Sequence, residues 1–186
     1  MTSVKLDLTN ATTAQPELRQ ATAWALPFVE AVLPLLAAAP AALARAQEAV
    51  AVARQYAQGA PRGQALRAAA MAVFKQGKTV PPAAKFVTKA ACALDAMAYT
   101  HMDLAAGAPG ALQAQHLLGP IVYSAYALEL ATGDPTQAEQ LLDQAVAAAP
   151  PVVAVLVGHF APQPDPPNRV GQLMAMLDRA LRADQK

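Results

Sequence analysis

The residues of this chain best suited to chemistry are its three histidines, His101, His116 and His159. Imidazole titrates near neutral pH and ligates transition metals, so convergent histidines could form an acid/base pair or a zinc site. His101 falls on a stripe with Phe86, Ala90, Leu94, Met97 and Leu104; His116 falls on one with Leu112, Gly119, Tyr123, Tyr126 and Leu130. Both stripes repeat at three and four residues, the spacing of one helix face. Two such helices joined by a turn would bring His101 and His116 together, with His159 as a third ligand, as helical bundles do at metal sites. Against this, no HxxxH or ExxH pair is present, and only Asp103 supplies a nearby carboxylate. The plainer reading makes His101, His116 and Tyr123 a buried polar cluster, hydrogen-bonded to backbone or tyrosine hydroxyls. On that reading no metal, cofactor or catalytic residue is expected.

Charge is sorted along the chain. Residues 54–89 carry seven basic side chains (Arg54, Arg62, Arg67, Lys75, Lys78, Lys85, Lys89) and no acid. Residues 90–168 carry seven acids (Asp95, Asp103, Glu129, Asp134, Glu139, Asp143, Asp165) and no lysine or arginine. The net charge is only +1. Such a polarised surface steers charged partners. The basic block could contact nucleic-acid phosphates, but it lacks interleaved aromatics and a recognition helix. The acidic block could face a basic protein. Glu139 and Asp143 lie one turn apart without compensating lysines, a mildly unfavourable arrangement. For each block a solvated helix face is the plainer reading. Gln76-Gly77-Lys78-Thr79 lacks the upstream glycines and strand of a phosphate loop, and Cys92 reads as a small buried hydrophobe.

The elements that must position these residues are helical. Alanine makes up about a quarter of the 186 residues, and it is the strongest helix former. Prolines at 16, 40, 61, 81–82, 109 and 135 each precede an alanine-rich run, as helix-opening prolines do. The spacing predicts an all-α, single-domain orthogonal bundle of about eight helices, near 15–38, 40–58, 62–76, 82–106, 110–132, 135–149, 151–160 and 168–183. Residues 1–14 read as a polar arm and 161–167 as an extended proline-rich linker. Pro27, Pro34 and Pro120 should bend or break their helices. Asp134 should cap the sixth helix with Gln137 at its third position. Large side chains are scarce, so Trp24, Phe28, Phe74, Phe86, Met97, Tyr123 and Phe160 are expected to anchor the core. The apolar segments at 21–44 and 150–160 read as buried helices rather than a signal peptide or membrane span. A single cysteine fits a reducing cytoplasm.

One resemblance adds a functional lead. Trp24-Ala25, Val32-Leu33-Pro34, Ala53-Arg54, Leu66-Arg67-Ala68-Ala69-Ala70, Ala90-Ala91-Cys92-Ala93, Tyr99-Thr100-His101-Met102 and His116-Leu117-Leu118-Gly119 leading to Tyr123 follow one another in this order. The order resembles a family of small all-helical bacterial immunity proteins of polymorphic toxin systems, over roughly residues 20–160. Family members hold their two histidines close together, whereas here residues 103–115 separate them. The resemblance implies a non-enzymatic, cytoplasmic protein-binding module that neutralises a toxin by occlusion. Because nuclease toxins are basic, Glu129, Asp134, Glu139 and Asp143 are the expected contact face. The alternatives are a nucleic-acid-associated protein using residues 54–89, and a histidine-based metalloprotein.

Overall fold

A computed structural model describes residues 14–164 and 167–183. Among the described residues eight α-helices follow one another: α1 (Gln15–Val32), α2 (Pro40–Ala57), α3 (Gln64–Gln76), α4 (Pro82–Ala96), α5 (Gly107–Thr132), α6 (Pro135–Ala147), α7 (Pro151–His159) and α8 (Arg169–Ala183). Short 3-10 turns, Leu33–Leu36 and Met97–Tyr99, extend α1 and α4. No strand occurs among the described residues, so the all-α bundle expected from the alanine runs is the observed fold. The expected arm at 1–14 lies outside the described residues except for Ala14, which is buried.

Proline sets most of the helix starts. It occupies one of the first two positions of α1, α2, α4, α6 and α7, where its missing N–H has no helical partner to lose. Pro34 ends α1 and starts the 3-10 turn, whereas α1 and α5 continue through Pro27 and Pro120. Asp134 caps α6 by accepting the Thr136 N–H at 2.9 Å. Gln137 Nε2 returns to the Asp134 carboxylate at 3.4 Å rather than to its backbone, so the box is only half built. Gly133 closes α5 in the left-handed region at φ 71°, a conformation costly for a side chain with Cβ.

α5 is the central helix and packs most extensively against α4. Gly119 lets them approach: a Cβ there would lie 3.4 Å from Ala93 Cβ and 3.3 Å from the Tyr123 ring. α3 and α2 cover the other side of α4, while α1, α6 and α8 flank α5. Trp24 Nε1 donates to the Ala145 carbonyl at 2.9 Å and ties α1 to α6. Tyr56 of α2 donates its hydroxyl to Gln15 Oε1 at 2.9 Å. The rest of the core is mostly alanine, leucine and valine, with Met97, Met102, Met174, Ile121 and Phe160 among its larger side chains.

Two expectations about the core are corrected. Phe74 is 45 % exposed rather than an anchor; its place is taken by fully buried Tyr56, Leu18 and Leu36. The expected linker is tied down. The Ala161 N–H donates to the Ala105 carbonyl at 2.8 Å, and Gln163 Nε2 donates to the Ala111 carbonyl at 2.6 Å. Its backbone N–H reaches Asp178 Oδ2 at 3.2 Å, where Arg182 also binds. Among the described residues no single helix is long and apolar enough to cross a membrane. The α6–α7 pair passes that test only jointly, with a 106° bend between its halves.

Candidate functional site

The expected histidine cluster does not form. α4 ends at Ala96, not near residue 106, and Thr100 leaves helical geometry with ψ 126°. His101 therefore stands in the following loop with an exposed ring 3.9 Å from Asp103. Its backbone N–H is held by Gln113 Oε1 at 2.9 Å. His159 Nε2 lies 2.7 Å from the Met102 carbonyl, at the end of α7. His116 is half-buried on α5, and its Nδ1 is enclosed without a hydrogen-bond partner. Tyr123 is half-buried two turns further along the same side of α5 and packs its ring against Phe86. Among the described residues, no group of three histidine, cysteine or acidic side chains could hold a metal ion.

The acidic block is also redistributed. Arg169 of α8 grips Glu129 of α5 at 2.9 Å and reaches Glu139 of α6 at 3.3 Å. Glu139 is thus compensated by a residue 30 positions away, which corrects the reading of an unpaired Glu139–Asp143 turn. Asp134 serves as a helix cap, and the hydrogen bonds from Thr136 hold its carboxyl below the usual range. Asp143 is exposed.

The basic block splits in two. Arg54 turns to Glu30 in an ion pair between α2 and α1. The others line the α3–α4 side of the molecule, and several lie over aromatic rings. Arg67 sits 4.6 Å from the Tyr99 ring centroid and Arg62 5.3 Å. Lys89 sits 4.6 Å from Phe86 and 5.7 Å from Tyr123, and Lys78 5.9 Å from Phe74. Phe74 and Phe86 stand inside the basic block itself, which corrects the expectation of a block without interleaved aromatics, and folding adds Tyr99 and Tyr123 from farther along the chain. Burial lowers the Lys89 pKa, and neighbouring Lys85 lowers it further. Lys75 and Lys85 are exposed.

These residues border three adjoining depressions. A cavity of about 340 Å³ lies between α3, the end of α4 and the start of α5, with Arg67, Met71, Asp95, Tyr99, His101 and His116 among its walls. Ala96 and His116 also border a second depression of about 500 Å³. Phe74 and Lys89 join the second to a third, of about 330 Å³, beside Lys78 and Lys85. Met71, Phe74 and Leu112 are 54 %, 45 % and 58 % exposed along this groove. Large apolar side chains exposed together inside a polar rim mark interaction surfaces.

Asp95 is the residue that sequence reasoning misplaced as part of a solvated face. It is fully buried, and neither carboxyl oxygen has a hydrogen-bond partner among the described residues. Burial pushes its carboxyl up to about 8. The same cause lowers the His116 pKa, with the charge of His101 adding to it. Asp95 follows Thr88 by seven residues and Ala91 by four, all three on the buried side of α4. That register was legible as an acid at a core position. A buried carboxyl without a partner costs several kcal/mol and is a marker of function.

Comparison with family models, with curated proteins and with solved structures finds no match to this chain.

Proposed function

We propose that this chain is a non-enzymatic protein-binding module, and that its docking face is the groove along α3, α4 and the start of α5. The observation that carries this reading is the groove itself: Met71, Phe74 and Leu112 lie exposed among Arg67, Lys78, Lys85 and Lys89. Asp95, the acid in its walls, is buried and carries a proton at neutral pH. Charge complementarity selects an acidic partner surface with apolar anchors. The acidic half of the molecule is the weaker candidate, because Glu129 and Glu139 are held by Arg169 and Asp134 caps α6. The resemblance to immunity proteins supports a toxin as the partner and the cytoplasm as the place of action, but a toxin that presents an acidic surface to this groove rather than the basic one expected to meet the acidic face. The protein would then work by covering the toxin's working surface.

The test is protection. Co-expression with a toxin encoded beside its gene should restore growth. Phe74→Ala combined with Lys89→Glu should abolish rescue, and Glu139→Lys with Asp143→Lys should not. Absence of a neighbouring toxin gene, or loss of rescue only with the acidic reversals, overturns the reading.

A second reading has an observation of its own. Cations lying over aromatic rings are a feature of single-strand nucleic-acid surfaces, and Arg67, Lys78 and Lys89 are so placed. Affinity for a single-stranded oligonucleotide that falls steeply with salt, and that is lost on Lys85→Glu with Lys89→Glu, would put this reading first.

A further inference from the structure

The third depression of the groove, of about 330 Å³, is built from cations. Lys78, Lys85 and Lys89 border it together with Phe74, Gly77 and Thr88, and no acid does. Lys78 and Lys85 are exposed and Lys89 is half-buried, so each keeps surface open to a bound molecule. Four bases elsewhere are matched by acids: Arg45 by Glu48, Arg54 by Glu30, Arg169 by Glu129 and Arg182 by Asp178. None of the three lysines has an ion pair among the described residues.

Local structure forces this crowding. Lys85 and Lys89 lie one turn apart on α4, and like charges at that spacing repel. Lys78 comes from the turn after α3. That turn sits close against α4 because residue 77 is glycine: a Cβ there would collide with the Thr88 hydroxyl. Thr88 Oγ1 donates to the Lys85 carbonyl at 2.8 Å and is already committed. The Gly77-Lys78 pair thus supplies a point charge to the depression, not the backbone cradle of a phosphate loop. Burial and Lys85 both disfavour the charge on Lys89, a cost that an anion between the lysines would relieve.

Three cations without an acid favour a doubly charged anion over a carboxylate. A phosphate monoester carries about −1.5 to −2 at pH 7, and lysine is a common phosphate binder. Phe74 and Lys89 also border the adjoining depression of about 500 Å³, where Ala93, Leu112 and Tyr123 supply apolar surface. A ligand held by its phosphate at the lysines extends its body over Phe74, and a ring packs well on such aromatic walls. We propose that the two depressions together bind an aromatic phosphate monoester, with the phosphate among Lys78, Lys85 and Lys89 and the ring against Phe74. The site is complete in this chain alone, so its failure and that of the docking face are told apart by measuring the isolated protein.

Phenyl phosphate is the probe, with benzoate and inorganic phosphate as controls. Binding to the full chain is followed by calorimetry and by amide shifts of the labelled protein. Phenyl phosphate should bind at least about tenfold more tightly than singly charged benzoate. Its affinity should fall as the pH drops through about 6, where the monoester gains a proton. Lys78→Ala with Lys85→Ala should weaken it at least about tenfold with an unchanged circular dichroism spectrum, and Arg67→Ala, outside this depression, should alter it less than about threefold. Phe74→Ala should bring it within about threefold of inorganic phosphate. A phosphotyrosine peptide that binds at least about tenfold more tightly than phenyl phosphate assigns the ligand to a partner protein, and a smaller gain assigns it to a free small molecule. The proposal is overturned by no saturable phenyl phosphate binding at millimolar concentration, by benzoate binding as tightly, or by indifference to Phe74→Ala. Equal losses in Arg67→Ala and in the double lysine variant also overturn it, because they show a diffuse positive field.

Discussion

Arg169 holds Glu129 across the α5–α8 interface at 2.9 Å, with the carboxylate only 14 % exposed. A residue from the last helix thereby neutralises an acid of the central helix, and the same guanidinium reaches Glu139 on α6. The acidic half of the chain is therefore less of a free surface than its sequence suggests. The hydrogen bond to Glu129 is the largest contribution raising the Arg169 pKa above its usual value.

Removing this clamp should weaken the fold. Arg169→Ala leaves Glu129 largely enclosed without its cation, and losing one partner of a charged hydrogen bond costs about 1–3 kcal/mol. The partial exposure of Arg169 places the loss toward the lower end. Asp143→Ala, at an exposed position, should change stability by less than about 0.5 kcal/mol. Urea unfolding of both variants checks this, and equal effects would show that Arg169 is not a clamp.

Much of the fold was legible because proline and glycine mark helix ends by local backbone rules, and those rules need no knowledge of the rest of the chain. The site was not legible, because it depends on where α4 stops. Nothing near Ala96 in the sequence breaks a helix. The stop is made by Thr100, whose hydroxyl donates to the Met97 carbonyl at 2.9 Å, and by Gln113, whose side chain takes the His101 N–H. The second partner is 12 residues away. With α4 shorter, His101 moves from core to surface. Phe74 and Phe86 stand within the basic block, four and three residues from Lys78 and Lys89, and were legible there; Tyr99 and Tyr123 meet Arg67 and Lys89 only after folding.

Asp95 should leave a signature in the pH dependence of stability. Its folded pKa, about 8, lies above its ordinary value of 3.8. The folded state keeps a proton that the unfolded state releases, so stability is greatest below the unfolded value and is lost as pH rises toward 8. His116 acts in the opposite sense: its depressed pKa makes the folded state lose stability as pH falls below 6.5. Above pH 6.5 the histidine no longer contributes, and the Asp95 slope stands alone. From pH 6.5 to 8 the wild type should lose up to about 2 kcal/mol, at about 1.4 kcal/mol per pH unit. Asp95→Asn should be flat over that window. A wild-type curve as flat as the variant's would mean that Asp95 ionises without penalty in the folded protein.

Trp24→Phe tests the long-range tie between α1 and α6. The smaller phenyl ring leaves part of the indole's space unfilled, and the Ala145 carbonyl loses its indole donor. An unpaired buried carbonyl together with lost packing should cost about 1–3 kcal/mol. Tyr56→Phe removes the hydrogen bond from the buried Tyr56 hydroxyl to half-buried Gln15 and should cost less, about 0.5–1.5 kcal/mol, because the amide left behind stays within reach of water. Thermal unfolding ranks the two, and the reverse order would argue that α1 is fastened chiefly at its N-terminal end.

The groove itself separates function from folding. Phe74, Met71 and Leu112 are large, apolar and exposed, so truncating them removes little core packing. Phe74→Ala should leave the melting temperature within a few degrees, since exposed substitutions stay near 0.5 kcal/mol. If Phe74 anchors the partner, the same change should weaken the complex by about 2 kcal/mol or more, as central aromatic anchors do. Lys85→Ala, at the exposed rim, should instead slow association and reduce its salt dependence, leaving dissociation nearly unchanged. Association and dissociation rates measured at low and high salt distinguish these effects. A partner whose dissociation is indifferent to Phe74→Ala, but accelerated by Asp143→Lys, docks on α6 and leaves the groove for another ligand.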